Sequence, residues 1–167
     1  MPRFRDIPQF TRAVHESDHG GGHLEKTIAE YDIDLEPIYQ REHVWTTEQQ
    51  IAYVEFRLRG GEGGSSLYFN YIIGDPVKRR IEIVDGKQRI TAARLFMADK
   101  LPAFGYTLSQ YADRFPAMDA STRFRFHIND LQTKAEVIQW YLDLNYAGTP
   151  HTEEERARVK RLLEEAK

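Results

Sequence analysis

The chain has 167 residues, 41% hydrophobic and 29% charged, enough for one domain with its own core and too apolar for a disordered one. A formal net charge of -3 supplies no global field toward nucleic acid or anionic membrane, so any such contact must come from a local patch. There is no cysteine, which excludes disulfides, thiolate catalysis and Cys-ligated zinc and fits a reducing, cytoplasmic setting. The opening "MPRFRDIPQF" lacks the apolar core of a signal peptide, and no run is long enough to cross a bilayer, so no membrane partner is expected.

Residues 1–23 are mixed and end in "HESDHGGGH", expected to be a loosely ordered arm before a domain spanning 24–167. His15, His19 and His23 fall at i, i+4, i+8, the spacing of a zinc-binding helical face. Gly20, Gly21 and Gly22 argue against the continuous helix that face would need, so no structural metal site is expected there. "LEKTIAEYD" (24–32) carries Leu24, Ile28 and Tyr31 at helical spacing, and "IDLEPIY" (33–39) reads as a short strand entering an X-Pro segment. In 46–60, Thr46 and Gln49 match a capping box and Ile51, Val54 and Leu58 form an apolar stripe that Gly60 and Gly61 end.

"GGEGGSS" (60–66) lacks the Gly-Lys-Ser/Thr ending of a P-loop and reads as a flexible link. "LYFNYIIG" (67–74) and "RRIEIVDG" (79–86) read as two strands of an antiparallel hairpin turned at Asp75-Pro76. A helix over 87–99 shows Ile90, Ala93 and Met97 on one face, and "RFRFHIND" (123–130) alternates as a third strand. Thr133 with Glu136, and Thr152 with Glu155, cap the last two helices. The order of elements is α+β, without the repeat of a βαβ protein.

Three stretches carry chemistry. In "DGKQR" (85–89) a glycine stands at a strand-to-helix corner, where backbone can approach a ligand and the first helical N–H groups favour an anion. Arg89 adds a bidentate fork suited to phosphate, Lys87 a point charge, and Asp85 a carboxylate able to hold a divalent metal or orient a water. An Asp-Gly turn before a solvated cationic helix start satisfies the same pentapeptide. "PIYQREHVW" (37–45) gathers Tyr39, Gln40, Arg41, His43 and Trp45 before a capped helix, a set suited to stacking on a base or simply to core packing. In "LDLNYAGTP" (142–150), a helix C-cap accounts for Asn145, Gly148 and Pro150 without function.

Taken together and in order, these boxes resemble the N-terminal domain family of GmrSD-type, modification-dependent restriction systems, within the wider ParB/sulfiredoxin-like superfamily. The family's Ile-Pro-x-Tyr-Gln-Arg-x-x-x-Trp box stands here as "EPIYQREHVW", with Pro37, Tyr39, Gln40, Arg41 and Trp45. Its Asp-Gly-Gln-Gln-Arg box stands as Asp85, Gly86, Lys87, Gln88 and Arg89, followed by Thr91, and its Asn-x-x-Gly-Thr-Pro element as Asn145, Gly148, Thr149 and Pro150. The resemblance covers residues 24 to 163.

It implies one α+β domain of ParB/sulfiredoxin-like type, with a small mixed sheet flanked by helices. It further implies a nucleoside triphosphate and Mg²⁺ as cofactors, NTP hydrolysis or phosphotransfer, and DNA as partner. Within that reading Arg89, Lys87, Gly86 and Thr91 hold phosphates, Asp85 holds the metal or positions the nucleophile, and Gln88 orients a water or the γ-phosphate. Tyr39, Gln40 and Arg41 close the pocket from the opposite wall, with Asn145 in support. Lys87 replaces the family's first glutamine, so an amide contact becomes a charge. No HNH-type nuclease region follows before Lys167, so a self-contained restriction enzyme is not expected, and sulfiredoxin chemistry would need a cysteine. A non-enzymatic DNA-binding or regulatory module with a nucleotide effector pocket stays open, as do a small DNA-directed kinase or nuclease and a homo-oligomer.

Overall fold

A computed structural model describes residues 13–17, 21–40, 42, 44–77, 79–110, 124–145 and 152–167. Four strands form one sheet: β1 (Ala13–Ser17), β2 (Ser66–Tyr71), β3 (Ile81–Asp85) and β4 (Phe124–Asn129). Their spatial order is β1-β4-β2-β3. β2 pairs β3 antiparallel, as the hairpin reading expects, while β4 lies parallel to β2 and antiparallel to β1, so the sheet is mixed. The long helices are α1 (Gly21–Glu30), α2 (Thr47–Leu58), α3 (Lys87–Met97), α4 (Lys134–Asn145) and α5 (Glu153–Glu165). The fold is a single α+β domain, as its order of elements indicates.

Helices cover both faces of the sheet. On one face Leu67, Phe69, Ile81, Ile83, Phe126 and Ile128 pack with Leu24 of α1 and with Ile90 and Ala93 of α3. On the other, Tyr39 and Val84 pack with Trp140 and Tyr141 of α4 and with Val159 and Leu163 of α5. Behind α3, Val54 and Leu58 of α2 meet its Ala92 and Phe96. Double coverage explains why Ile81, Glu82, Ile83 and Val84 are all buried, where alternation alone exposes every second residue. Glu82 is tolerated there because Lys134 Nζ reaches its carboxylate at 2.8 Å. Burial pushes the Glu82 carboxyl above its ordinary range, against the pull of Lys134.

All three expected caps form. Gln49 N–H donates to Thr46 Oγ1 at 3.3 Å while Thr46 N–H donates to the Gln49 side chain at 2.9 Å, the full capping box. Glu136 N–H donates to Thr133 Oγ1 at 3.2 Å, and Glu155 N–H to Thr152 Oγ1 at 3.2 Å.

Four expectations change. The stretch read as a loose arm contributes β1, which pairs in register from Ala13 with Ile128 to Ser17 with Phe124. Gly21 and Gly22 do not interrupt a helix but begin α1. His15 stands on β1 and His23 on α1, so no helical face aligns them, and His19 lies outside the described residues. The strand expected over 33–39 reduces to one bridge at Asp34, whose N–H donates to Ile81 O at 2.8 Å and whose carbonyl accepts from Ile83 N–H at 2.9 Å. Pro37 then turns the chain, with Gln40 N–H on its carbonyl at 2.8 Å, and carries it toward the end of β3. The glycine-rich connector is also held: Tyr53 Oη donates to Gly64 O at 3.0 Å and Arg57 to Glu62 O at 3.2 Å.

Gly86, between β3 and α3, has φ +108°, and a Cβ there would lie 2.3 Å from Leu67 Cδ2. The left-handed backbone costs an L-residue roughly 1–2 kcal/mol, and overpacking adds about 1–3 kcal/mol. Gly86→Ala should therefore lower unfolding free energy by about 2–5 kcal/mol. Gly60→Ala, at φ +85° with open space around it, should lose only the backbone part. Denaturant midpoints of the two variants measure the difference.

Candidate functional site

The corner at Gly86 brings the "DGKQR" side chains to the end of the sheet, and each meets a different partner. Arg89, in the first turn of α3, extends past the end of β3 in the direction of β2. It forms a short ion pair with Asp85 and donates from Nη1 to Ser66 O at 2.8 Å. Both partners keep contact with solvent, at 18% and 27% side-chain exposure. Gly64 allows the close passage of this guanidinium stem, since a Cβ there would stand 3.2 Å from Arg89 Cδ.

Lys87 is 5% exposed, and its ammonium pairs closely with the Glu36 carboxylate. Gln88 turns away from solvent and toward the 42–45 loop. Its Oε1 accepts from Val44 N–H at 3.0 Å and Trp45 N–H at 3.1 Å, while Nε2 donates to Glu42 O at 3.3 Å. That amide, expected to orient a water or a phosphate, holds backbone instead.

The 37–45 box lies across the same corner. Gln40 Nε2 donates to Val84 O at 2.8 Å and Ile83 O at 3.3 Å. Tyr39 is fully buried, with its hydroxyl on Ile83 O at 3.2 Å and its ring 5.3 Å from that of Tyr141. Burial first, then the Glu82 charge, raises its pKa well above the usual phenol range, so it remains a neutral donor. Trp45 packs on Tyr53 with ring centroids 5.4 Å apart, and burial has the Tyr53 hydroxyl pushed up to about 12. Arg41 and His43 lie outside the described residues.

Two expected members stand apart from this cluster. Thr91, on α3, lines a groove of about 490 Å³ with Glu25, Arg94 and Lys100. Asn145 closes α4 by donating to Tyr141 O at 2.7 Å, as a helix end requires, and Gly148 to Pro150 lie outside the described residues.

The structure adds residues that the motif reading passes over. Arg158 of α5 donates to three successive carbonyls of the box, Ile38 at 2.8 Å, Tyr39 at 3.4 Å and Gln40 at 3.2 Å. Ser66 Oγ stands 3.1 Å from His127 Nε2, and the His127 ring stacks on Tyr68 at 4.9 Å and 17°. A signal for His127 exists in "RFRFHIND": alternation that buries Phe124, Phe126 and Ile128 sends Arg125 and His127 to the opposite face. No sequence pattern marks Arg158 or Glu36, whose partners are more than 50 residues away in the chain.

These features define an α+β domain in which a half-exposed Asp-Arg ion pair sits at a left-handed glycine corner, overlaid by a Tyr-Gln loop. The model of the family described as GmrSD restriction endonuclease, N-terminal domain, matches residues 24–165, and the chain belongs to that family. It is thus a restriction-related domain. No curated protein and no solved structure matches the chain. Among the described residues, no helix is long and apolar enough to cross a membrane.

Two predictions follow from these contacts. Gln88→Leu removes the partner of the part-buried Val44 and Trp45 N–H groups, at roughly 1–3 kcal/mol for each that water does not reach, so a loss of about 1–3 kcal/mol is expected after relaxation of the loop. Amide exchange at Val44 and Trp45 should accelerate by about tenfold or more, read by hydrogen-exchange NMR. His127 is held below its ordinary 6.5 by burial and by Arg125. The unfolded chain therefore takes up this proton first as pH falls. The contribution of neutral His127 is complete above pH 6.5 and is lost as pH falls through its lowered folded value. Denaturant midpoints between about pH 5 and pH 8 should show a shallower acid-side loss in His127→Asn than in wild type.

Proposed function

We propose that this domain is the nucleotide-binding module of a DNA-directed, restriction-related system, with the β3–α3 corner as its phosphate site. The observation that carries the reading is the Arg89 guanidinium. It is anchored on the Ser66 carbonyl, paired with Asp85, and still reaches solvent at the start of α3. An arriving phosphate offers the fork a stronger partner than one carboxylate, since it brings more charge and more acceptor oxygens. Exchange of Arg89 from Asp85 to phosphate leaves the Asp85 carboxylate free to take a cation or a proton.

Magnesium fits this arrangement as an ion carried in on the phosphates. The described residues contain no cluster of three His, Asp or Glu groups, and Mg²⁺ commonly keeps several waters while binding one or two carboxylates and substrate phosphates. Asp85 is the carboxylate that would hold it. The ion would supply charge neutralisation on the transferring phosphoryl group. Lys87 and Gln88 shape the site indirectly: Lys87 ties the Glu36 segment to the corner and Gln88 ties down the 42–45 loop. Gln40 holds the opposite wall through the carbonyls of β3.

The inward commitment of Gln88 and Lys87 also supports a second reading, a non-enzymatic module that uses the same pocket for a nucleotide effector and leaves the cutting or sensing of DNA to partner domains. Turnover separates the two. Arg89→Ala should weaken nucleotide affinity by at least about tenfold, the equivalent of 1.4 kcal/mol. Asp85→Asn frees the guanidinium, so affinity should hold or rise while phosphate release falls. Calorimetry and a phosphate-release assay, each with and without DNA, measure both variants after a folding check. Unchanged affinity in Arg89→Ala removes the phosphate site. Nucleotide binding with no phosphate release by the wild type selects the effector reading.

A further inference from the structure

We propose that Ser66 and His127 are a nucleophile and its base, and that Ser66 Oγ receives the γ-phosphoryl group of a nucleoside triphosphate held at Arg89. The proposal rests on the nucleotide-site reading above and names the acceptor within that site.

Ser66 is the joint between two polar groups. Its backbone carbonyl accepts from Arg89 Nη1 at 2.8 Å, and its hydroxyl lies 3.1 Å from His127 Nε2. The sheet fixes this arrangement, because the parallel pairing of β2 with β4 sets Ser66 opposite Arg125 and Tyr68 opposite His127. The imidazole is oriented by packing: it stacks on Tyr68, which in turn meets Trp140 edge-on at 6.1 Å and 86°. Ser66 and His127 are both half-buried, so the pair is shielded without being closed to a ligand. Burial and the Arg125 charge keep the imidazole neutral at neutral pH, the form that accepts a proton. A serine hydroxyl is a weak nucleophile until an adjacent base removes its proton, and here the base is within hydrogen-bond reach.

The chemistry balances with the triphosphate and water alone. Ser66 Oγ forms a bond to the γ-phosphorus, and the bond from that phosphorus to the β–γ bridging oxygen breaks. The nucleoside diphosphate leaves with the electron pair, and the hydroxyl proton passes to His127 Nε2. The new phosphoserine stands on the residue whose carbonyl Arg89 holds, and the fork would turn from that carbonyl to neutralise it. Water then attacks the phosphorus, its proton passes to the imidazole once that has been deprotonated by solvent, and Ser66 Oγ leaves with a proton. Inorganic phosphate is released.

The test uses the full chain with γ-labelled ATP or GTP, with and without duplex DNA, followed by acid quenching and peptide mapping. Label is expected on Ser66. It should vanish in Ser66→Ala and fall by about a hundredfold or more in His127→Asn, the low end of what a general base contributes. Nucleotide affinity by calorimetry should stay within about threefold of wild type in Ser66→Ala, a change below 1 kcal/mol, because the hydroxyl is not the anchor. Mapping is read on the unaltered chain, so it does not depend on either variant folding. Nucleotide binding without label on Ser66 overturns this inference and leaves the nucleotide site standing. Absence of nucleotide binding by the unaltered chain overturns both.

Discussion

The structure depends on one buried amide. Glu42, Val44 and Trp45 stand outside regular secondary structure, so the N–H groups of Val44 and Trp45 have no ladder to join, and shielding them from water unpaired would cost roughly 1–3 kcal/mol each. Gln88 supplies an acceptor for both and a donor for Glu42 O. It can do so because it stands in the first turn of α3, immediately after the glycine that aims this helix. The loop, the strand end and the helix start are therefore one unit. Gln40 repeats the device in the other direction, reaching from the loop to the carbonyls of Val84 and Ile83. Arg158 closes the arrangement from α5, with one guanidinium on three carbonyls. Long polar side chains here do the work that a β-ladder does elsewhere, and each binds backbone, which ties their geometry to the main chain.

Charge follows the same economy. Relative to the family's glutamine, Lys87 brings a cation into a position 5% exposed. An isolated buried ammonium is costly unless it is paired. Glu36, from "DLEP", answers it across 51 residues of sequence. The expectation that Lys87 adds phosphate affinity therefore meets a competing carboxylate, and Arg89, paired with Asp85, is the more exposed of the two cations. Glu82 and Lys134 show the same pattern on the far face, where a carboxylate buried in β3 is met by a lysine from the start of α4.

What was legible in the sequence was what repeats locally. The capping pairs Thr46–Gln49, Thr133–Glu136 and Thr152–Glu155 are readable because cap and partner are three residues apart. The hairpin of β2 and β3 and the strand β4 are readable because alternation marks their faces. The Asp-Gly corner is readable because glycine alone fits a left-handed junction against Leu67. What was not legible was non-local. β1 joins the sheet through backbone pairing with β4, which imposes no hydrophobic pattern on an edge strand, and its glycine-rich sequel masks the start of α1. The 33–39 segment has strand composition, yet Pro37 ends its pairing after Asp34. The site motifs identify which residues gather at the corner. They do not reveal which side chains reach solvent and which hold the protein's own backbone, since Gln88 and Arg89 are neighbours in sequence with different surroundings.

That division follows from the sheet itself. Helices pack on both faces, and among the described residues the polar cluster stands at the strand ends. At this end β2 and β4 begin and β3 stops. A parallel β2–β4 pair beside an antiparallel β2–β3 pair brings the start of one strand next to the finish of another. The result places Asp85, Ser66 and His127 on three adjacent strands, with Arg89 reaching in from the helix that β3 feeds. Reversal of β4 would keep the same core residues facing inward, because alternation is blind to strand direction. A reversal centred on the paired stretch would set Ser66 opposite Asn129 instead of Arg125, while His127 stayed opposite Tyr68. The mixed topology, which the hydrophobic pattern does not specify, therefore decides which end of β4 stands beside Ser66 at the polar end of the sheet.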